Sequence, residues 1–318
     1  MTFRQFFYRS LGISFAVAVA FVAFNAAMNE FGLFGNARGK RIRVHTAEKT
    51  SKYLFSFNYI PTNYDALIVG PSVSDHLDPR KFKGYRVYNL SILSGNVLEL
   101  KLPVYNVINR GNLKLLVICL HPYLTRDNIL KDKRLTPYMY WSTLGSTFTF
   151  KFYGDMLQNY LDSGNDAFSD SADGYLRPVH VKGVTTEVFV DRFLQGIIAG
   201  GRSLHPLDPV AYSDLKEIIG AARQRGIRIV AYYHPEPEVL YRAYEQSYSA
   251  YRKKMNELFT GDDLVHDFNT PRYKAFRSDL TNYIDHGHLS VKGADFIVAE
   301  LDRVITRPPC RPTTTREP

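Results

Sequence analysis

The chain has 318 residues, of which 45% are hydrophobic and 22% are charged, and its formal net charge is +9. This length and composition suffice for one sizeable buried core with an added insertion or subdomain. The lysines and arginines are scattered and no nucleic-acid-binding motif occurs. We therefore interpret the positive charge as an adaptation to an anionic membrane surface and expect no nucleic acid partner. Two cysteines, one in an apolar run and one in a Pro-rich tail, indicate neither a disulfide framework nor a zinc site.

Residues 1–35 form an N-terminal membrane anchor in our interpretation. No charged residue occurs from Leu11 to Met28, and this run approaches the ~20 apolar residues that a helix needs to cross a bilayer. A cleaved signal peptide has a similar pattern, but no small-x-small cleavage site follows the apolar core, so an uncleaved anchor is favoured. Basic residues are more numerous after this segment than before it, which under the positive-inside rule favours a cytoplasmic domain.

The rest of the chain divides into three parts. Residues 36–60 are predicted to be a juxtamembrane linker, residues 61–306 an α/β domain, and residues 307–318 a disordered tail. Within the domain, the alternation of strand and helix patterns becomes irregular from about residue 122 to residue 205. This segment is predicted to form a helical insertion beside the edge of the sheet that carries the active site. The insertion contains Trp141 and an aromatic cluster between Tyr138 and Tyr160. Ordinary packing against the sheet is the favoured role for this cluster, and a sugar or acyl pocket is the alternative.

Apolar runs alternate with helical patterns through the domain. Strands are predicted at residues 64–70, 85–90, 113–120, 227–233 and 264–268. Helices are predicted from Val97 to Ile108, from Pro209 to about residue 225, from Leu240 to Leu258 and from Val291 to Ile305. Strand, helix and strand in this order indicate right-handed crossovers and a parallel sheet.

The first strand ends in a turn that carries Ser72. Gly70 and Pro71 end the strand abruptly, so Ser72 is predicted to lie at its carboxyl end, where ligands bind in open parallel sheets. A serine hydroxyl is a good nucleophile only when a base takes its proton and a carboxylate orients that base. Asp285 and His288 lie three residues apart far downstream and are able to provide these two groups. The alternative is that Ser72 only caps a helix.

A metal site is the other interpretation of the histidines near this edge. His234, Asp285, His286 and His288 are all potential ligands. In an extended segment, His286 and His288 would point to opposite sides, and no HExxH-like spacing occurs. We therefore predict no metal and no other cofactor.

Three groups of residues resemble blocks of the SGNH (GDSL-type) hydrolases. They are the Gly-x-Ser at Ser72, the run from Asn89 to Asn96, and the Asp-x-x-His that ends at His288. The resemblance covers roughly residues 64–125 and 208–305, and the layout is similar to a membrane-anchored branch that moves acetyl or D-alanyl groups onto cell-envelope polymers. It implies a flavodoxin-like three-layer sandwich with a central parallel sheet, an N-terminal transmembrane helix and a mid-chain helical insertion.

The resemblance also implies roles for individual residues. Ser72 would be the nucleophile, His288 the general base and later the general acid, and Asp285 the group that orients His288. The backbone N–H groups of Ser72 and Gly95 would form the oxyanion hole.

One block of the family is missing. Where the family has Gly-x-Asn-Asp after the third strand, this chain has Leu120-His121-Pro122-Tyr123. Asn96 and His121 are both candidates for the missing oxyanion donor, and the sequence does not choose between them. His76, His121 and His234 are predicted to contact the substrate or to support the catalytic residues.

The resemblance implies an esterase or O-acyltransferase that handles acyl groups, expected to be acetyl, of a cell-envelope glycan through an acyl-Ser72 intermediate. Water as the acceptor gives hydrolysis, and a polymer hydroxyl gives transfer. The alternative is a catalytically silent protein of envelope assembly or carbohydrate binding. The expected partners are an acylated or acceptor glycan and a polytopic membrane acyltransferase. The expected location is the cytoplasmic membrane, with a single span and a periplasmic domain, although the basic residues favour the opposite orientation.

Overall fold

The computed structural model describes residues 1–33, 38, 48–126, 149–150, 153–154, 172–178, 186–200 and 206–306. Most of the predicted insertion, including Trp141 and the greater part of the aromatic cluster, lies outside these residues. The predicted tail at residues 307–318 also lies outside them.

The domain is built on a parallel sheet of five strands. These are β1 (Ala66–Val69), β2 (Val87–Asn89), β3 (Leu115–Leu120), β4 (Arg228–Tyr233) and β5 (Leu264–Asp267). Their order across the sheet is β2-β1-β3-β4-β5, and every neighbouring pair is parallel. This is the flavodoxin-like order, so the predicted fold is confirmed. All five strands that the sequence predicts are present, and each is shorter than predicted at one or both ends.

Helices cover both faces of the sheet. They are α1 (Phe3–Met28), α2 (Glu48–Phe55), α3 (Tyr59–Asn63), α4 (Val97–Arg110), α5 (Thr186–Ala199), α6 (Pro209–Gln224), α7 (Glu238–Ala243), α8 (Glu245–Asn256), α9 (Lys274–Ser278) and α10 (Val291–Thr306). One buried cluster joins the sheet to α2, α3, α4, α6 and α8, and a second joins the opposite face to α5, α7 and α10. The result is a three-layer sandwich. All six residues of β3 are buried, as expected for a central strand covered on both faces.

Two predicted segments differ from the structure by more than their end residues. The single helix expected from Leu240 to Leu258 is divided into α7 and α8 at Tyr244, whose backbone leaves helical geometry (φ −123°, ψ 20°). The predicted linker is helical in its second half, where α2 and α3 bury Leu54, Phe55 and Ile60 in the core. Apolar side chains in this segment therefore hold it against the domain.

Helix α1 has the length and composition of a membrane-spanning helix. Its 26 residues correspond to about 39 Å, which exceeds the ~30 Å hydrocarbon core of a bilayer. Only 6% of its most apolar window is buried in the protein, and a signal sequence shares these properties. Its carboxyl-terminal part contacts the domain, where Phe21 stacks on Phe150 with 4.5 Å between ring centroids.

Candidate active site

The nucleophile turn follows β1 directly. After Gly70 and Pro71, residues Ser72–Ser74 form a 3₁₀ turn. A Cβ at position 70 would lie 2.3 Å from Ser74 Oγ and 2.5 Å from Cys119 Cβ, so only glycine lets the turn approach β3 this closely. Ser72 makes no side-chain cap to this turn and retains 8% exposure. The alternative role of Ser72 as a helix cap is therefore not the one that the structure shows.

Ser72, His288 and Asp285 form a continuous relay of hydrogen bonds. The Oγ atom of Ser72 lies 2.9 Å from Nε2 of His288, and Nδ1 of His288 lies 2.7 Å from Oδ2 of Asp285. With Nδ1 donating to the carboxylate, Nε2 is free to accept the serine proton. The arrangement supplies a nucleophile, a base and a group that orients the base.

Asp285 is held as a carboxylate. Its Oδ1 accepts hydrogen bonds from the backbone N–H groups of Gly287 (2.9 Å) and His288 (2.7 Å). Burial alone would raise the pKa of Asp285, but the hydrogen bond and charge of His288, together with these two amides, outweigh it and lower the pKa. Asp285 therefore stays ionised and keeps the imidazole in one orientation.

The segment that carries Asp285 and His288 is a tight loop. Tyr283 pairs with Leu289 in an antiparallel bridge, and the N–H of Ile284 donates to the carbonyl oxygen of His288 at 2.9 Å. The rings of His286 and His288 are 6.2 Å apart, and Nδ1 of His286 lies 3.7 Å from Asp285. The expectation that the two rings would separate assumed an extended segment and is wrong, because the loop turns both towards Asp285. No group of three or more His, Cys, Asp or Glu side chains that could hold a metal ion occurs in the part of the chain that the structure describes.

Two further histidines hold the backbone on either side of His288. His234 donates from Nε2 to the carbonyl oxygen of Gly287 (2.7 Å), and His76 donates from Nδ1 to that of Leu289 (2.9 Å). Burial lowers the pKa of His234 to about 3 and that of His76 to about 4. Both rings are therefore neutral at neutral pH, with one N–H each, and that N–H supports the peptide next to the predicted base.

The predicted oxyanion donors after β2 are engaged elsewhere. The N–H of Gly95 donates to the carbonyl oxygen of Ile92 at 2.9 Å. The side-chain oxygen of Asn96 caps α4 by accepting from the N–H of Leu98 (3.0 Å), and its amide nitrogen lies 3.5 Å from the carbonyl oxygen of Arg126. The N–H of Gly95 is therefore not available to an oxyanion in this structure, whereas the role of Asn96 as an oxyanion donor stays a prediction. Glycine is needed at position 95 because a Cβ there would lie 2.8 Å from Ile92 Cβ, and not because of a left-handed backbone. No backbone hydrogen bond is donated by the N–H of Ser72 among the described residues.

His121 is also committed to other groups. Its Nδ1 accepts from the N–H of Tyr123 (3.1 Å), and its Nε2 lies 3.0 Å from Oε1 of Glu236. Burial would raise the pKa of Glu236, but the charge and hydrogen bond of His121 outweigh this and lower it. Because both ring nitrogens are occupied, His121 is not a free donor for an oxyanion in this structure. It supports the turn after β3 instead.

Sequence reasoning missed the residues that join the turn at Ser72 to the loop after β2. The amide of Asn89 donates to the carbonyl oxygens of Ser74 (2.8 Å) and Leu77 (3.0 Å), and its oxygen accepts from the N–H of Ser91 (3.0 Å). Ser91 Oγ lies 2.8 Å from Ser74 Oγ. The available signal was the position of Asn89 at the end of a buried strand, because a polar side chain that is buried there needs hydrogen-bond partners.

No family model and no curated protein matches the chain. One similar solved structure is a provisionally named platelet activating factor from Streptococcus pneumonia. It has a TM-score of 0.45 and 11% identity, and the match covers 91% of this chain and 99% of that chain. Another is a provisionally named acylhydrolase from Bacteroides fragilis, with a TM-score of 0.36 and 11% identity, which covers 76% of this chain and 85% of that chain. Similarity at this level assigns no family, so the chemistry of the site rests on the distances given above.

Proposed function

We propose that this chain is a membrane-anchored serine esterase or O-acyltransferase of the SGNH type. The observation that carries the proposal is the hydrogen-bonded relay from Ser72 through His288 to Asp285. These three groups lie at the carboxyl edge of a parallel sheet, where ligands bind in folds of this kind.

The reaction would proceed through an acyl-Ser72 intermediate. As Ser72 Oγ attacks the carbonyl carbon of an ester, its proton passes to Nε2 of His288. Collapse of the tetrahedral intermediate breaks the bond to the leaving alcohol, and His288 returns the proton to that alcohol. A second hydroxyl, from water or from a glycan, then attacks the acyl-enzyme while His288 again takes and returns one proton. Water yields the free acid, and a glycan hydroxyl yields a new ester.

The surroundings of His288 favour this two-step use of one imidazole. Asp285 stabilises the imidazolium without taking its proton, since its own pKa is lowered. His234 and His76 hold the flanking carbonyl groups, so the ring keeps its position between the two half-reactions.

The proposed substrate is an acyl ester, expected to be acetyl, of a cell-envelope glycan. Phe193 of α5 is 42% exposed and stacks on His286 with 5.1 Å between centroids, next to Asp285. An exposed aromatic face beside the triad is suited to the apolar face of a sugar ring. Helix α1 and the net charge of +9 favour a location at an anionic membrane surface. We place the domain on the extracytoplasmic side, with a polytopic membrane acyltransferase as the proposed partner.

The first test uses the full-length chain in detergent with p-nitrophenyl acetate, in the presence and absence of oligosaccharide acceptors. We expect Ser72→Ala to abolish turnover and labelling by a fluorophosphonate, while Ser249→Ala keeps both. Ser249 is a matched control because it lies on α8, where its Oγ contacts Arg252 at 3.5 Å. Acetylated oligosaccharide would indicate transfer, and acetate alone would indicate hydrolysis. Turnover that is unchanged in Ser72→Ala would disprove the mechanism.

A catalytically silent glycan-binding protein is the second candidate. The observation in its favour is that the N–H of Gly95 and both ring nitrogens of His121 are engaged with protein groups, so two of the predicted oxyanion donors are not available among the described residues. This candidate predicts that the wild type binds oligosaccharide but that Ser72 is not labelled by a fluorophosphonate.

A further inference from the structure

Helix α2 presents three charged side chains to the loop after β2. Glu48, Lys49 and Lys52 lie at positions i, i+1 and i+4, and Lys52 is fully buried. A fully buried ammonium group is rare unless carboxylates or carbonyl oxygens surround it, because leaving water is costly for a charge. The partners of Lys52 therefore show what the helix holds in place.

Lys52 contacts both the loop and the nucleophile turn. Its Nζ donates to the carbonyl oxygen of Ser91 and lies 2.6 Å from Oε1 of Glu48 and 3.7 Å from Oδ1 of Asp75. Asp75 follows Ser72 by three residues, and its N–H donates to the Ser72 carbonyl oxygen at 3.0 Å. One cation thus joins the turn that carries Ser72 to the loop beside it.

The loop from Ser91 to Asn96 is held at two further backbone positions by carboxylates. Oε2 of Glu48 accepts from the N–H of Leu93 at 3.2 Å, and Oε2 of Glu99 accepts from the N–H of Asn96 at 3.3 Å. Lys49 of α2 pairs with Glu99 in turn. Directly or through Glu99, helix α2 contacts three backbone groups of a six-residue segment.

Asp75 makes this arrangement dependent on the lysine. It is fully buried, and neither of its carboxylate oxygens has a hydrogen-bond partner within the described residues. Burial and the charge of Glu48 raise its pKa, whereas Lys52 acts in the opposite direction. Lys52 is the cation that Glu48 and Asp75 share at this point.

We propose that Lys52 is a positioning residue that fixes the loop of residues 91–96 against the Ser72 turn for acyl transfer. This inference rests on the proposed function. Helix α2 is the first described helix after α1. A positioning role for Lys52 would therefore make the juxtamembrane segment part of the catalytic unit. Ile92 of this loop forms a parallel bridge with Pro71, the residue before Ser72. A shift of the loop would therefore move the backbone next to the nucleophile.

The test compares three variants of the full-length chain in detergent. Lys52→Met removes the cation, Glu48→Gln/Lys52→Met removes one charge of each sign, and Ser51→Ala is the matched control. Ser51 is a suitable control because it lies next to Lys52 on α2 and its buried Oγ has no hydrogen-bond partner in the described part of the chain. The double variant decides the question if Lys52→Met fails to fold, because it also removes the carboxylate of Glu48, and the remaining buried Asp75, whose pKa is raised by burial, is able to stay protonated.

The readouts are p-nitrophenyl acetate kinetics and hydrogen–deuterium exchange. Misplacement of reacting groups by about 1 Å costs on the order of 100-fold in rate, so we expect kcat to fall by about 10- to 100-fold with KM changed by less than about 2-fold. Exchange should rise in a peptide spanning residues 90–97 but not in one from α10, whereas a general loss of stability would raise both. Ser51→Ala should leave kcat and exchange as in the wild type.

The outcomes separate this inference from the proposed function. An active wild type with unchanged kcat and unchanged loop exchange in the double variant would overturn the role of Lys52 alone. A wild type without Ser72-dependent turnover would overturn the proposed function, and with it the role of Lys52 in acyl transfer.

Discussion

His234 Nε2 lies 2.7 Å from the carbonyl oxygen of Gly287, the residue that immediately precedes His288. On the other side of His288, His76 holds the carbonyl oxygen of Leu289. The predicted general base therefore has a side chain fixed by Asp285 and a backbone fixed by two neutral imidazoles. The position of the base therefore depends on Asp285, His234 and His76 together.

Replacing His234 by phenylalanine tests this backbone support. The ring volume is largely kept, but the donor to Gly287 is lost, and an unpaired buried carbonyl group costs about 1–3 kcal/mol. We expect kcat for p-nitrophenyl acetate to fall by about 10- to 100-fold with a smaller change in KM, because the reacting groups are misplaced. His266→Phe is the matched control. His266 bonds to Tyr273 OH at 2.8 Å on β5 and contacts none of the three triad residues. Equal losses in both variants would contradict the role of His234.

The same two histidines predict a loss of stability in mild acid. In the unfolded chain both rings have a pKa near 6.5, whereas burial lowers the folded pKa of His76 to about 4 and that of His234 to about 3. The unfolded state therefore binds protons first as the pH falls below 6.5. Their contribution to the free energy of unfolding is complete above that pH and declines towards pH 4, by at most about 1.4 kcal/mol per pH unit for each histidine.

Urea unfolding measured between about pH 7.5 and about pH 4.5 checks this expectation. His76→Gln removes one titrating ring, so its free energy of unfolding should fall less steeply with decreasing pH than that of the wild type. The comparison of slopes is needed because other groups also titrate in this range. Parallel curves for the two proteins would show that His76 is not protonated on unfolding.

The sequence predicted the sheet and the three residues of the relay because each has a strong local signal. The aliphatic run before Gly70 indicates a strand end, and a spacing of three residues lets one loop bring Asp285 to His288. The contact between His288 of that loop and Ser72, 216 residues away, followed from the parallel topology, since the carboxyl ends of parallel strands meet at one edge of the sheet.

The loop after β2 could not be predicted in the same way. Whether the Gly95 N–H faces a ligand or the carbonyl oxygen of Ile92 depends on a few backbone torsions that residue identity does not fix. The role of Lys52 could not be predicted from the sequence for a different reason. In the sequence it is one of many scattered basic residues, and its burial depends on Glu48 and Asp75 converging on it in the fold.

Asp285→Asn separates orientation from charge at the triad. The amide oxygen is still able to accept from the N–H groups of Gly287 and His288, but the amide nitrogen faces His288 Nδ1 and favours the wrong tautomer. In serine triads this change lowers kcat by about 10⁴-fold, and we expect a loss of about 10²- to 10⁴-fold here. Asp279→Asn is the control, since Asp279 caps a nearby turn and pairs with Lys292. Near-normal turnover in Asp285→Asn would remove Asp285 from the mechanism.

The two cysteines allow the proposed orientation of the domain to be measured without adding a tag. Cys119 is buried in β3, and burial raises its pKa to about 12, so it is expected to be inert to maleimides. Cys310 lies in the Pro-rich segment predicted to be a disordered tail. If the domain is extracytoplasmic, a membrane-impermeant maleimide should label Cys310 in spheroplasts as strongly as in lysed cells. Cys310→Ser should abolish this labelling. Labelling that requires lysis would instead place the domain in the cytoplasm, as the basic residues after α1 favour, and would contradict an action on the cell envelope.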